Sequence, residues 1–485
     1  MRKSVFMKNI KPYNKYKPSG IAWLGDIPKH WEVIKLTGVC SFVRGNSTFK
    51  KDELLNKGTY VALQYGKTYK VNEVNENYTF YVNDEFYKDS QIVNFGDIIF
   101  ISTSETIEDL GHSVFYNRSD LGLLGGEQIL LKPHLNVVNE KYLYYSSRIF
   151  AKELKKYATG VKVYRFKVYD LKTIYTSVPR LLEQQKIALF LDYKLSKIDR
   201  FIRQKKQLIK LLNEQKAGII NTAVTKGLDP SVLTKPSGIE WLGEIPKHWE
   251  IVKLTGVCGF VRGNSSFRKD ELLSEGKYVA LQYGKTYKVN EVDEKYQFYV
   301  NDEFYKVSQI VHYGDVIFIS TSETIEDLGH SVFYNRSDLG LLGGEQILLK
   351  PKNDIVNGRY LCYSSKIFAK ELKKYATGVK VFRFNINDLK TIYAPVPPVR
   401  EQQQIVAHIE TETAIINQTI ATIEKEITLV QEYKTVLIAE AVTGKIDVRE
   451  YEIPTIEAED PLEELEEELN IETEDEVIHN HQETA

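Results

Sequence analysis

The chain has 485 residues, 42% hydrophobic and 27% charged, which is unlike a disordered or membrane chain and leaves length for about three domain-sized units. No apolar run approaches the ~18 residues that span a bilayer, and residues 1–17 lack the apolar centre of a secretory signal. The net charge of −2 hides an asymmetry: 15 of the 66 acidic residues lie in 450–485, where there is no Lys or Arg, so residues 1–449 carry 64 basic against 51 acidic groups, a net of +13. A basic body with an acidic end is the charge pattern of nucleic-acid binders. Three cysteines, Cys40, Cys258 and Cys362, exclude a disulfide framework and share no metal-ligand spacing, so a reducing cytoplasm is expected.

In chain order, the sequence is written twice. Lys17-Pro-Ser-Gly-Ile-Ala-Trp-Leu-Gly-Asp-Ile-Pro-Lys-His-Trp-Glu32 returns almost unchanged at 235–250, and the offset of 218 holds without insertion or deletion through Pro179 and Pro397. Residues 60–74 equal 278–292, 101–133 equal 319–351, and 150–163 equal 368–381. Two copies of so long a unit do not make a solenoid; they are a duplicated domain. The expected division is a tail at 1–16, a domain at 17–180, a long helix at 181–224, a second domain at 225–398, a second long helix at 399–445 and a disordered acidic tail at 446–485. Within that tail Leu462, Leu465 and Leu469 have helical spacing, and a partner-docking or DNA-mimicking role is the alternative.

Each domain reads as α+β. Tyr60-Val-Ala-Leu-Gln-Tyr-Gly-Lys, Gly96-Asp-Ile-Ile-Phe-Ile-Ser and Glu127-Gln-Ile-Leu-Leu-Lys-Pro are short runs bounded by turn residues, as strands are. Residues 140–157 place Leu143, Ser147, Ile149, Phe150 and Leu154 at near-helical spacing and stop before Gly160. Gly122-Leu-Leu-Gly-Gly126, between two such runs, reads as a turn. The period then changes. Ile187, Leu191, Leu195, Ile198, Ile202, Ile209, Leu212 and Ile219 recur in steps of mostly three and four, and so do Ile405, Ile409, Ile416, Ile420, Ile423, Ile427, Val430 and Leu437. Each run makes a helix of about 42 residues, roughly 60 Å long. Residues 183–224 carry a net of +5 and 401–442 a net of −5, which favours pairing of the two unlike helices over self-pairing.

Catalytic motifs are missing. Gly66-Lys67-Thr68 and Gly284-Lys285-Thr286 lack the earlier glycine of a phosphate loop, since Val61 and Val279 stand there. No strand leads into a G-x-G-x-x-G helix. His30, His248, His112 and His330 recur between copies without Cys or His neighbours. Asp97 with Glu105, and Asp315 with Glu323, are paired acids that a metal-dependent nuclease could use, although Asp97 after Gly96 fits a turn. No active site is expected on this chain.

The layout resembles the specificity subunit of type I restriction–modification systems. Trp31-Glu-Val-Ile-Lys-Leu and Trp249-Glu-Ile-Val-Lys-Leu open the domains, and Gly96-Asp-Ile-Ile-Phe-Ile-Ser and Gly314-Asp-Val-Ile-Phe-Ile-Ser follow. Asp170-Leu-Lys-Thr-Ile and Asp388-Leu-Lys-Thr-Ile come before Val178-Pro-Arg-Leu-Leu-Glu-Gln-Gln and Val396-Pro-Pro-Val-Arg-Glu-Gln-Gln. The match covers residues 17–445, with one departure, Pro179-Arg180 where the second lead has Pro397-Pro398. The resemblance implies two target recognition domains that each read half of a bipartite site on double-stranded DNA. It also implies antiparallel coiled-coil helices with pseudo-twofold symmetry, which dock methyltransferase (modification) subunits. S-adenosylmethionine, ATP and magnesium are then expected on partner subunits, the methyltransferases and the motor (restriction) subunits, and none on this chain; no membrane is involved. A methylation-only assembly, a self-contained nuclease and a coiled-coil scaffold without DNA function are the rival readings. Because the two domains are nearly the same molecule, a twofold arrangement would make the target a split palindrome.

Base edges and phosphates call for amides, hydroxyls, Lys and Arg on loops, with aromatics beside them. Three segments per domain offer them. The first holds Gln64, Tyr65, Lys67, Tyr69 and Lys70, with twins Gln282, Tyr283, Lys285, Tyr287 and Lys288. The second is a hydroxyl-rich stretch read as a loop: Ser102, Thr103, Ser104, Glu105 and Thr106, with twins Ser320, Thr321, Ser322, Glu323 and Thr324. The third, after a Gly turn, holds Lys162 and Arg165, with twins Lys380 and Arg383. A plain polar turn is the alternative for each. Tyr164 is matched by Phe382, so its hydroxyl carries no shared specificity.

Overall fold

The computed structural model describes residues 11–160, 162–378 and 380–454. It divides into two units, Met1–Arg203 with Ile427–Ala485, and Gln204–Glu426. Each unit therefore holds one globular domain, the start of the helix that follows it, and the end of the other long helix.

In the first domain, a five-stranded sheet runs Cys40–Arg44, Gln128–Pro133, Ile98–Ile101, Ser113–Tyr116, Glu73–Val74, antiparallel except for the last pair. A four-stranded sheet runs Tyr81–Val82, Tyr60–Leu63, Gly122–Leu124, Ile92–Val93. Gly122–Leu124, expected as a turn, is thus a buried strand paired in parallel with Val61–Leu63. Two leucines flanked by glycines pack well between sheet neighbours, and turn composition alone does not reveal that pairing. Val61, Leu63, Ile99, Val114, Tyr116 and Leu130 form one apolar core between the sheets. The helix Glu140–Leu154 is capped by Asn139, whose side chain accepts from Tyr142 N at 3.0 Å. The second domain repeats every pairing at the same offset, from Cys258–Arg262 to Gln346–Pro351 and Gly358–Leu372.

The long helices are Leu181–Lys226 and Val399–Val442. Ile187, Leu191, Leu195, Ile198 and Ile202 are buried, as are Ile405, Ile409, Ile416, Ile423, Ile427, Val430 and Leu437. Ile209, Leu212, Ile219 and Ile420 are half-buried. The helices pair antiparallel within each unit. In the second unit, Lys205 Nζ meets Glu426 at 2.9 Å and Lys216 Nζ donates to Asn417 at 2.7 Å, so later residues of one helix face earlier residues of the other. In the first unit Lys434 pairs with Asp199, an ion pair whose signs reverse the bulk trend. The end of each helix is held by the domain it does not follow. Tyr142 Oη donates to Ser177 O at 2.8 Å and Val442 O at 3.2 Å, and Tyr360 Oη donates to Pro395 O at 3.0 Å and Val224 O at 3.4 Å.

Two stretches expected as tails are partly packed. Tyr13, Ile446 and Val448 are buried, Asp447 N donates to Lys11 O at 2.7 Å, and Tyr451 meets Phe190 edge-on at 4.8 Å. Residues 1–10 and 455–485, where the rest of both tails falls, lie outside the described residues.

Candidate nucleic-acid interface

Two leads of the sequence, Trp31-Glu and Glu183-Gln, meet in space and fix each domain to its helix. Glu183, in the first turn of the long helix and nearly buried, accepts from Trp31 Nε1 at 3.0 Å, Tyr13 Oη at 2.7 Å and His30 Nε2 at 2.9 Å. Gln184, fully buried, accepts from Asn139 N at 2.7 Å and donates to Val137 O and Pro179 O. Glu401 and Gln402 repeat this with Trp249, His248, Asn357, Ile355 and Pro397.

On that frame the three candidate segments come together. The strand Tyr60–Leu63 ends in a helical turn, Tyr65–Thr68. The turn is pinned by the buried Thr68 hydroxyl, which donates to Gln128 Oε1 at 2.7 Å, while Gln128 Nε2 donates to Leu63 O at 2.7 Å. Tyr65 and Tyr69 stack with ring centroids 5.6 Å apart. Lys67 Nζ sits 4.2 Å from the Phe80 ring, and burial, then Lys51 and Lys70, lower its pKa. Lys70 and Tyr69 are exposed.

The second segment differs from its expectation. Ser102, Thr103 and Ser104 are buried, and Thr103–Ser104 is a strand paired antiparallel with Tyr164–Arg165. The twins Ser320, Thr321 and Ser322 are buried likewise, with Thr321–Ser322 on Phe382–Arg383. These hydroxyls face protein because the third segment folds over them as a ladder partner, a long-range pairing that local composition does not encode. The Ser104 side chain lies at the Tyr65 hydroxyl, where it opposes the rise of the Tyr65 pKa that burial causes, and so ties the first segment to the second. Glu105 and Thr106 lie beyond the strand and are exposed, with Thr106 Oγ1 on Asp109 at 2.6 Å. Glu323 and Thr324 are placed in the same way.

The third segment is a hairpin tip. Thr159 and Arg165 exchange two backbone bonds of 2.9 Å, Phe166 packs on Phe100 at 5.4 Å, and Lys162 and Arg165 are exposed. Gly160 has φ +115°, and a Cβ there would lie 2.0 Å from Val163 O, so the tight return needs glycine. Lys380 and Arg383 occupy the twin positions, exposed. Each domain thus carries one face on which Gln64–Lys70, Glu105–Thr106 and Lys162–Arg165 adjoin through the Tyr65–Ser104 and Thr103–Arg165 contacts, rich in cations, amides and stacked rings.

A family model for the type I restriction modification DNA specificity domain matches residues 28–211 and again 246–429. The chain belongs to this family. A putative type I restriction enzyme MjaX specificity subunit of Methanocaldococcus jannaschii is 28% identical over 443 residues, 88% of this chain and 96% of the relative. The MjaVIII specificity subunit of the same organism is 23% identical over 440 residues, 87% of this chain and 94% of the relative. A chain from a solved structure concerning complex assembly and conformational transition of the type I R-M system shares the fold, with TM-score 0.62 and 16% identity, over 86% of this chain and 98% of that one. The role of this type I specificity subunit is DNA recognition.

Other side chains of the specificity subunit take structural places. The Asp97 carboxylate closes a turn by accepting from Asn94 N at 2.9 Å, with Lys132 at 3.5 Å; burial raises its pKa, while that N–H and Lys132 oppose the rise. Glu105 is exposed and Asp97 buried, and no group of three or more His, Cys, Asp or Glu able to hold a metal occurs among the described residues. The His112 ring bonds Val71 O at 2.7 Å, and burial lowers its pKa. No described helix is long and apolar enough to cross a membrane. Glu127 and Glu345 were not among the expected site residues. Each is exposed on the loop just before the strand that carries Gln128 or Gln346, and Arg165 Nε lies 3.9 Å from Glu127. The Gly-Gly-Glu run that places a bulky acid after two glycines was the available signal.

Proposed function

We propose that this chain supplies the DNA address of a type I restriction–modification complex and that each domain reads one half of a bipartite site with the face described above. The observation that carries the reading is the recurrence of that face in two nearly identical domains: the stacked Tyr65–Tyr69 pair becomes Tyr283–Tyr287 at 5.5 Å, and Lys67 over Phe80 becomes Lys285 over Phe298 at 4.4 Å. Two equal readers bind equal words. Antiparallel helices favour the inverted arrangement, so the proposed target is one short word, a spacer, and the reverse complement of that word.

The long helices are proposed to dock the modification subunits, which hold S-adenosylmethionine and methylate adenine in the words read here. Restriction falls to a motor subunit that uses ATP and magnesium. This chain contributes no reacting group, and the complex works in the cytoplasm. Co-purification of the chain with its partners, followed by genome-wide mapping of methylated adenines, tests the reading. An inverted repeat is expected; two unrelated words would refute the equivalence of the readers, and a direct repeat would refute the inverted arrangement alone.

A further inference from the structure

Glu127 has φ +62° and Glu345 φ +63°; they are the two non-glycine residues with positive φ among the described residues. This left-handed conformation suits glycine and, to a lesser degree, Asn or Asp, whereas a glutamate there is strained. Strain retained at equivalent positions of both domains points to a use for the side chain. The surrounding backbone does not need a glutamate. Gly126 N donates to Ser47 O at 2.9 Å, Ser102 N donates to Glu127 O at 3.2 Å, and the turn is anchored by the buried Gln128 amide. These bonds are made by main chain and by the neighbour, and a glycine would satisfy them without strain.

The carboxylate itself is about half exposed, and Arg165 Nε approaches it loosely, at 3.9 Å. It stands where the three segments converge: Gln128 leads to the Tyr65–Thr68 turn, Ser102 to the second segment, and Arg165 to the hairpin. On a face whose other exposed charges include Lys70, Lys162 and Arg165, an acid repels phosphate and so does not serve general affinity. A carboxylate only accepts hydrogen bonds; of the two major-groove amino donors, adenine N6 stands beside the N7 acceptor, which repels a carboxylate, so the matching donor is the cytosine N4 amino group.

We propose that Glu127 and Glu345 are specificity-determining residues, each accepting a hydrogen bond from the exocyclic amino group of a cytosine at one position of its half-site. The left-handed turn aims the carboxylate out of the domain, and in the first domain Arg165 beside it restrains the side chain or reads the paired guanine. This rests on the reading of the domains as DNA readers.

The test uses the full chain in its co-purified complex and duplexes carrying the mapped target, each position replaced in turn, with an unrelated duplex as reference. The paired variants are Glu127→Gly with Glu345→Gly, and Glu127→Gln with Glu345→Gln. For the glycine pair, unchanged or higher thermal stability and unchanged or tighter binding to the unrelated duplex are expected. Discrimination at one C·G position per half-site should fall about 5- to 100-fold. The glutamine pair should shift preference at that position from cytosine towards adenine. If the glycine pair keeps the native preference at every position, or loses stability and unrelated-duplex binding together, the proposal is overturned and DNA reading by these domains stands. If the unaltered complex binds all the duplexes alike, the underlying reading fails instead.

Discussion

Replacing Glu183 with alanine should loosen the first domain from its helix, and by more than Glu401→Ala loosens the second. The Glu183 carboxylate, 7% exposed, receives the indole N–H of Trp31, the hydroxyl of Tyr13 and the His30 ring. Alanine strands two donors, since Trp31 is 0% and Tyr13 5% exposed. At about 1–3 kcal/mol for each buried unpaired group, the loss is about 2–6 kcal/mol. Glu401 is 24% exposed and receives Trp249 and the half-exposed His248, so alanine there strands one deeply buried donor, at about 1–3 kcal/mol. The expected gap between the twin substitutions is therefore about 1–3 kcal/mol, by the same rule. A two-unit chain does not give one global unfolding free energy, so the measurement is hydrogen exchange resolved to peptides around 26–36 and 244–254, read as local opening free energies. Tyr13→Phe alone should recover about 1 kcal/mol of the gap in a double-mutant cycle with Glu183→Ala. Equal loosening of both domains, or greater loosening by Glu401→Ala, would refute the role assigned to Tyr13 and to the deeper burial of Glu183.

Gly160→Ala and Gly378→Ala should force the hairpin tips open by at least about 1 kcal/mol, because the new Cβ would meet a backbone carbonyl; DNA binding should fall while the domain cores keep their exchange protection. Lys162→Ala with Lys380→Ala should weaken binding to all duplexes alike and reduce the salt slope by about 1 for each lysine–phosphate pairing removed, as titrations from about 50 to 200 mM salt would read. The half-buried His112 and His330 rings have pKa values lowered by desolvation, partly opposed by their bonds to Val71 O and Val289 O. A depressed pKa means the stabilising contribution is complete above the unfolded value near 6.5 and is lost as pH falls through the folded value. Urea titrations should show stability declining below about pH 6.5, with a shallower decline in the His112→Gln, His330→Gln double variant.

The end of each long helix separates what is local in the chain from what is not. The buried stripe from Ile187 to Ile202 follows from spacing alone, because a helix repeats its face every three to four residues. The partner of Val442 does not: it is Tyr142, 300 residues earlier, and Val224 is held by Tyr360. A clue was present, since Ala223-Val224-Thr225 and Ala441-Val442-Thr443 continue the 218-residue offset. The candidate site divides in the same way. Lys162, Arg165, Lys70, Glu105 and Thr106 are exposed as their types and loop setting imply, whereas Ser102 to Ser104 are enclosed by a strand about 60 residues away.

What the sequence by itself determined was the duplication, the α+β character of each copy, the helical stripes and the motif order that marks the family, all matters of period, offset and residue type along the chain. Tertiary structure alone decided which helix end each domain grips, which hydroxyls are shut inside, and that a glutamate is held in a left-handed turn among the readers. Those outcomes depend on pairings between residues far apart in the chain, whose free energy comes from burial and hydrogen bonds formed only after the segments meet.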